Sequence, residues 1–229
     1  MNMKESKCFE CIHKCFGENT SENFHQLTND YKISVTYKNG EQIIKQGTLG
    51  NYIYVIKDGF AKTTIESESN RKIIINLLNE GDFIGLNMLE KNSNIYKYGA
   101  TAVSEVVFCM IDVNKLKKLL QEDTQLSILY MDKIISENKL MYDKFSVLGT
   151  RNVHGRLASS LIYLSKFNNQ KKNIYHFLQR KDIAEMSYMS IESVNKILTE
   201  LKNELILKLD NKNIIIQDNT MLQHLAKYG

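Results

Sequence analysis

The sequence predicts an α+β chain: a β-rich sandwich or barrel, then one long helix, then a small helical domain closed by a hairpin. Three observations carry this prediction. Residues 31 to 111 hold β-branched and aromatic runs separated by glycine turns. From Asp123 to about Leu148 the apolar spacing changes to steps of three and four. Beyond Gly149-Thr150, helical patterns end in two short apolar runs around Asp210-Asn211-Lys212.

The strand candidates are ISVTY at 33 to 37, YIYVI at 52 to 56, KIIINLL at 72 to 78 and EVVFCMI at 105 to 111. Asn39-Gly40, Gly47, Gly50, Asp58-Gly59 and Gly81-Asp82 punctuate them, which suits short strands doubling back on one another. In the long helix Ile128, Met131, Ile135, Asn138, Tyr142 and Phe145 fall on one line, with Ile134, Met141 and Leu148 beside it. An apolar seam of that length resembles a coiled-coil interface, and a single Asn within it suits pairing in a fixed register, so it predicts self-association. The competing expectation is a helix packed on its own domain.

In the last third, Arg156 to Phe167 is amphipathic, Asn168 to Lys172 is a polar turn, and two helical segments follow with a break at Tyr188-Met189. LILKL (205 to 209) and NIII (213 to 216) read as a hairpin, giving the layout of a winged helix-turn-helix. Within DIAEMSYMSIESVNKILTEL (182 to 201), Ile183 and Ala184 lie inside the first helix. Ser190 caps the second, and Val194, Ile197, Leu198 and Leu201 point inward. That leaves Ile191, Glu192, Ser193, Asn195 and Lys196 on the N-terminal half of the second helix, the part such motifs insert into the major groove. Lys196 suits guanine, Glu192 suits the cytosine amino group and Asn195 suits adenine, while Arg180, Lys181 and Lys212 are better placed for phosphates. Tyr188 stands where such turns usually carry glycine.

Charge agrees with this division. The chain has 229 residues and a net charge of +4. From Arg151 onward nine Lys and three Arg face seven acidic residues, a net of +5, leaving −1 for the first 150 residues. A basic C-terminal third is the footprint expected of a phosphate-facing surface. At the N-terminus, Lys4, Glu5 and Lys7 precede no apolar stretch, and no apolar run is long enough to span a bilayer, so a cytoplasmic protein without membrane contact is expected. No His/carboxylate metal set, phosphate loop, nucleophile elbow or Ser/His/Asp grouping is present, so no enzymatic activity is expected. His25, His154, His176 and His224 have no ligand spacing and receive no chemistry; His13 sits inside a cysteine run, where it is an alternative ligand, and is read as a solvated side chain.

Three of the four cysteines, Cys8, Cys11 and Cys15, fall within the run CFECIHKC; the fourth, Cys109, lies in an apolar strand. In a reducing compartment such a run more often binds metal or senses redox state than holds a structural disulfide.

Over nearly its whole length the chain resembles the CRP/FNR family of bacterial transcription regulators. NGEQIIKQGTLGNYIYVIKDG (39 to 59) and GDFIG (81 to 85) are similar to the family's β-roll turns. RLASSLIYLSKF (156 to 167) is similar to the start of its DNA-binding domain, and residues 182 to 201 to its recognition motif. The resemblance implies a cysteine-rich segment at 1–20, a cyclic-nucleotide-binding-like jelly-roll domain at 21–122, a dimerisation helix at 123–149 and a winged helix-turn-helix domain at 150–229. It further implies a homodimer on a palindromic double-stranded DNA site, with half-sites about 34 Å apart, and RNA polymerase as a candidate partner.

Nucleotide-binding members neutralise the ligand phosphate with an Arg followed by Ser or Thr after the second glycine turn. Here Asn94-Ile95 occupy those positions and no arginine lies between Arg71 and Arg151, so a cyclic nucleotide is not expected. AVSEVVFCMI (102 to 111) is instead similar to the segment in which oxygen-sensing FNR proteins carry a distant cluster ligand. The resemblance therefore implies Cys8, Cys11, Cys15 and Cys109 as ligands of an oxygen-labile 4Fe-4S cluster. Four thiolates also suit zinc, an N-terminal pair also suits a thiol switch, and another small effector in the roll also stays open. The gap of three residues between Cys11 and Cys15 is shorter than that branch uses, and Glu192, Asn195 and Lys196 replace its Glu, Ser and Arg, which implies an altered half-site.

Overall fold

A computed structural model describes residues 32–69, 71–92, 94–168 and 173–229. The described residues divide into two compact units, with the boundary between Asn138 and Lys139, inside the long helix.

In the first unit, β1 (Lys32–Tyr37), β3 (Tyr52–Asp58), β6 (Phe83–Ile84) and β8 (Val106–Asp112) form one antiparallel sheet in the order β1-β8-β3-β6. β2 (Gln42–Ile44), β4 (Ala61–Glu66), β5 (Lys72–Leu78) and β7 (Gly99–Ala102) form a second, in the order β2-β7-β4-β5. Apolar residues of both sheets, among them Ile53, Ile56, Phe108, Ala61, Ala100 and Ala102, share one buried core. This is the expected roll. The four sequence-read strands are β1, β3, β5 and β8, each with bounds moved by two residues at most. The short strands β2, β6 and β7 and the Thr-containing β4 carry too little apolar pattern to stand out; each is held by its partners.

Gly59 shows why these turns need glycine. Its φ is +96°, and a Cβ there would meet the Glu105 carbonyl and the Val106 backbone.

Strand β8 passes directly into α1 (Val113–Glu122): the Asp112 carboxylate accepts from Asn114 N at 2.9 Å and Lys115 N at 3.1 Å. Asp123 then accepts from Leu126 N and starts α2 (Thr124–Thr150), the long helix, 27 residues against the roughly 25 expected. Leu126 and Tyr130 of its first turns are buried in the roll core, where Tyr130 meets Phe83 edge-on at 5.3 Å.

The second unit continues from α2 into α3 (Val153–Ser165), which starts three residues before the expected Arg156 because Asn152 caps His154 and Gly155. α4 (Arg180–Ser187) and α5 (Ile191–Asn203) make the helix-turn-helix, β9 (Leu207–Asp210) and β10 (Asn213–Ile216) the hairpin, and α6 (Asn219–Tyr228) the end of the chain. Leu205 and Ile206, expected in the first hairpin strand, lie before it; Leu205 has φ +60° and is exposed. α6 packs on α3 so closely that a Cβ at Gly155 would lie 2.7 Å from the Gly229 oxygen. Among the described residues no helix is long and apolar enough to cross a membrane.

Candidate functional site

The second helix of the helix-turn-helix is fixed by its apolar side. Val194, Ile197, Leu198 and Leu201 are all at most 3% exposed, and Ile183 and Ala184 of α4 pack in the same unit. Ser190 caps α5, accepting from Ser193 N at 3.2 Å, and its hydroxyl is 3.1 Å from that of Ser193. With one side buried, Glu192, Asn195 and Lys196 are exposed and Ser193 is half-exposed, together on the first two turns. Backbone hydrogen bonding and the Ser190 hydroxyl hold the Glu192 carboxyl below the usual carboxylate range, so it is an anion and an acceptor. Lys196 lies 4.0 Å from Glu200, which also faces His154 Nε2 at 2.9 Å.

Tyr188 is the left-handed cap of α4, at φ 57° and ψ 44°. The position of the usual glycine is thus occupied by a residue that pays for positive φ, and its ring is half-buried. Arg180 and Lys181 open α4, Lys181 lying 3.8 Å from Glu185, and burial lowers the pKa of Arg180 from its usual value. Lys212 is exposed at the tip of the hairpin, after Asn211 at φ 53°.

Residues 34–123 match the family model described as cyclic nucleotide-binding domain, and residues 155–225 the one described as Crp-like helix-turn-helix domain. The chain belongs to the CRP/FNR family of transcription regulators. It is 22% identical to the transcriptional activatory protein AadR of Rhodopseudomonas palustris over 92% of this chain and 86% of that one. It is 24% identical to the cAMP-activated global transcriptional regulator CRP of Salmonella typhimurium over 79% and 87%. Among solved structures, FixK2 from Bradyrhizobium japonicum matches with a TM-score of 0.75 at 19% identity, covering 84% of this chain and 96% of that one, which speaks for the fold.

The CRP/FNR frame gives the remaining residues their place. Along α2, the residues expected at the seam are exposed: Ile128 53%, Met131 59%, Ile135 61%, Tyr142 73% and Phe145 79%, with Asn138 exposed among them. The other expectation, that these residues pack on their own domain, fails for them; on the same helix Leu126 and Tyr130 are buried and Leu129 packs partly buried against the same core.

In the roll, Asn94 and Ile95 are tied down by backbone. Asn94 O accepts from Gly50 N at 3.0 Å, Ile95 O accepts from Asn87 Nδ2 at 2.9 Å, and Leu49 and Ile95 form a bridge. Next to them the buried Tyr96 donates its hydroxyl to Tyr52 O at 2.7 Å, and its ring fills the space a Cβ on Gly50 would need. Neither position brings a cation to this corner.

The second glycine turn instead faces α2: Lys133 lies 3.7 Å from the Asp82 carboxylate. Burial, and then Asp82, push the Glu137 carboxyl up to about 7, while Lys133 opposes the shift; Asp82 itself is raised chiefly by burial. This carboxyl pair has no signature in the sequence, since 55 residues separate its members.

Cys109 is 6% exposed in β8, opposite Ser34 of β1 and Val55 of β3. Strand alternation puts it on the other face of the sheet from Phe108, which meets Tyr37 and Tyr54 edge-on at 5.8 Å. Cys8, Cys11 and Cys15, with His13, His25 and the segment 1–20, lie outside the described residues.

Proposed function

We propose that this regulator binds a two-fold symmetric DNA site as a homodimer and senses oxygen or redox state through a 4Fe-4S cluster held by Cys8, Cys11, Cys15 and Cys109. The observation that carries the DNA reading is the pairing of exposures. α5 has its apolar side buried and its polar N-terminal half exposed, while α2 has a heptad-spaced apolar seam exposed. A second copy is the natural cover for that seam, and a dimer presents two α5 helices to one face of the duplex. Glu192, Asn195 and Lys196 then read bases, with Ser190 and Ser193 beside them, and Arg180, Lys181 and Lys212 hold phosphates. The dimer acts in the cytoplasm, where RNA polymerase is its candidate partner.

The donor set fits the cluster chemically: it is four thiolates, three in one short run and one distant. When bound, the cluster supplies an oxygen-labile, redox-active centre. What the chain itself provides is a short route from Cys109 to the seam. β8 ends three residues later at Asp112, whose carboxylate caps α1, and Asp123 caps α2. Cys109, Leu126 and Tyr130 share one core, so a shift of β8 is felt at the first turns of α2. A bias of a few kcal/mol suffices to move a mostly monomeric population to a mostly dimeric one.

The test is anaerobic purification with iron, acid-labile sulfide and zinc analysis, repeated after exposure to air and on Cys109→Ser. Iron and sulfide that are lost in air and absent from the variant support the cluster; one tightly held zinc overturns it.

A second reading is a small-molecule effector in the roll. The match to the cyclic nucleotide-binding domain favours it; the absence of a cation at Asn94 and Ile95 counts against a phosphate-bearing one. Titration of cAMP into the protein in air tests the phosphate-bearing case, since saturable binding with enhanced DNA affinity is expected only under the second reading.

A further inference from the structure

The second unit contains a cavity of about 230 Å³ among α2, α3, the end of α4 and α6. Its wall is largely apolar, with Leu140, Val147, Ile162 and Tyr163 among its residues, yet its polar groups are unusual for an apolar void. Lys144, Arg156 and Lys166 line it against a single carboxylate, Asp143. Two polar atoms on its wall residues, Arg156 Nε and Ser187 Oγ, are buried with no hydrogen-bond partner, and Ser187 is only 1% exposed. A buried donor left without a partner costs about 1–3 kcal/mol, and two beside one cavity point to an acceptor that belongs there. The Lys144 ammonium lies 4.7 Å from the Tyr163 ring centroid, so this wall offers positive charge next to an aromatic face.

We propose that this cavity is a binding site for a small amphipathic monocarboxylate, its carboxylate on Arg156 and Ser187 and its aromatic or short aliphatic body against Tyr163, Ile162 and Val147. Burial also pushes the Lys144 ammonium down to about 8, the direction expected of a cation held in a dry wall that an anion would relieve. The volume admits a body of about ten heavy atoms and excludes a nucleotide. Ser187 ends α4 and Tyr188 is its strained cap, two residues ahead of the Ser190 cap of α5. An occupant therefore touches the turn of the helix-turn-helix. That consequence rests on the DNA-binding reading above, whereas the binding itself does not.

The experiment titrates the full-length protein with benzoate and octanoate, using benzyl alcohol as the uncharged control, by ligand-observed NMR. Saturable binding with a dissociation constant of about 1 mM or tighter is expected for the carboxylates. The alcohol, and the Arg156→Gln variant, should each be weaker by about tenfold or more, and Ser187→Ala weaker by several-fold. Melting curves show whether each variant is folded, and the wild-type comparison of acid with alcohol stands without them. No saturable carboxylate binding, equal binding of the alcohol, or folded variants with unchanged affinity would overturn the site. Fluorescence anisotropy on a selected symmetric duplex tests the link to the turn. An affinity changed at least about threefold at saturating benzoate supports it, and an unchanged affinity overturns it.

Discussion

Helices α2 and α5 are both amphipathic, and they dispose of their apolar sides in opposite ways. α5 buries Val194, Ile197, Leu198 and Leu201 within its own unit, so what it shows to solvent is polar and positioned. α2 buries Leu126 and Tyr130 and then leaves an apolar seam from Ile128 to Phe145 open. Covering such side chains is worth about 1.5–3 kcal/mol each, too much to leave exposed in a functional state. α5 is complete on its own fold and presents a polar surface; α2, under the proposed function, is completed by a second copy.

The largest expected effect follows from the seam. Ile135→Asp or Phe145→Asp places a charge in the middle of the proposed interface, at positions too exposed to matter to the single chain. Sedimentation velocity should show dimer affinity falling by about a hundredfold or more, with melting of the individual units unchanged. A dimer that tolerates both would assign the seam another role.

Leu198→Ala attacks the other helix from its buried side. It should cost the second unit about 2–4 kcal/mol, read by chemical denaturation, while leaving the dimer contact intact.

The comparison also has a pH dimension, because two titrating groups of α2 lie on either side of the unit boundary. Glu137, raised from 4.5 to about 7, favours the protonated folded state, so its contribution is fully present below about pH 4.5 and lost as pH rises through 7. Lys144, lowered from 10.5 to about 8, behaves oppositely: stability of the second unit grows as pH rises from about 8 toward 10.5. Glu137→Gln should remove the slope between pH 4.5 and 7 from the roll's melting midpoint and stabilise the roll by about 1–3 kcal/mol at pH 8. The second unit's slope should be unaffected.

On the exposed side of α5, Lys196→Ala or Asn195→Ala should weaken binding to a selected operator by about 1–3 kcal/mol while barely changing non-specific binding. Lys212→Ala should lower both and flatten the salt dependence. The smallest effect is expected of Ser190→Ala, which removes the α5 cap and should cost about 1 kcal/mol of stability.

The seam, the helix-turn-helix and the Ser190 cap were legible because each is written as local periodicity or a cap residue. The apolar side of α5 and the line from Ile128 to Phe145 need no knowledge of any other segment. What escaped the sequence is made by distant partners. β2, β6 and β7 are short and become strands by pairing, and α1 and α6 are short helices of ten residues each. The cavity was hidden for the same reason: Arg156 and Ser187 read as one more basic residue and one more small residue of helices, and their buried, unpartnered atoms exist only once α2, α3 and α4 meet. Tyr188 lies between these cases. Its place in the turn was visible, but its left-handed backbone was not, since the residue usually chosen there is glycine.

Radical footprinting of the full-length protein under argon, with and without a selected symmetric duplex, tests the contrast between the two helices most directly. Met131, Met141, Tyr142 and Phe145 should be protected at dimer-forming concentrations without DNA and stay protected with it, whereas Ile191 should become protected only when the duplex is added. An α2 seam that remains oxidisable in the DNA complex, or an α5 N-terminus already protected without DNA, would contradict the account.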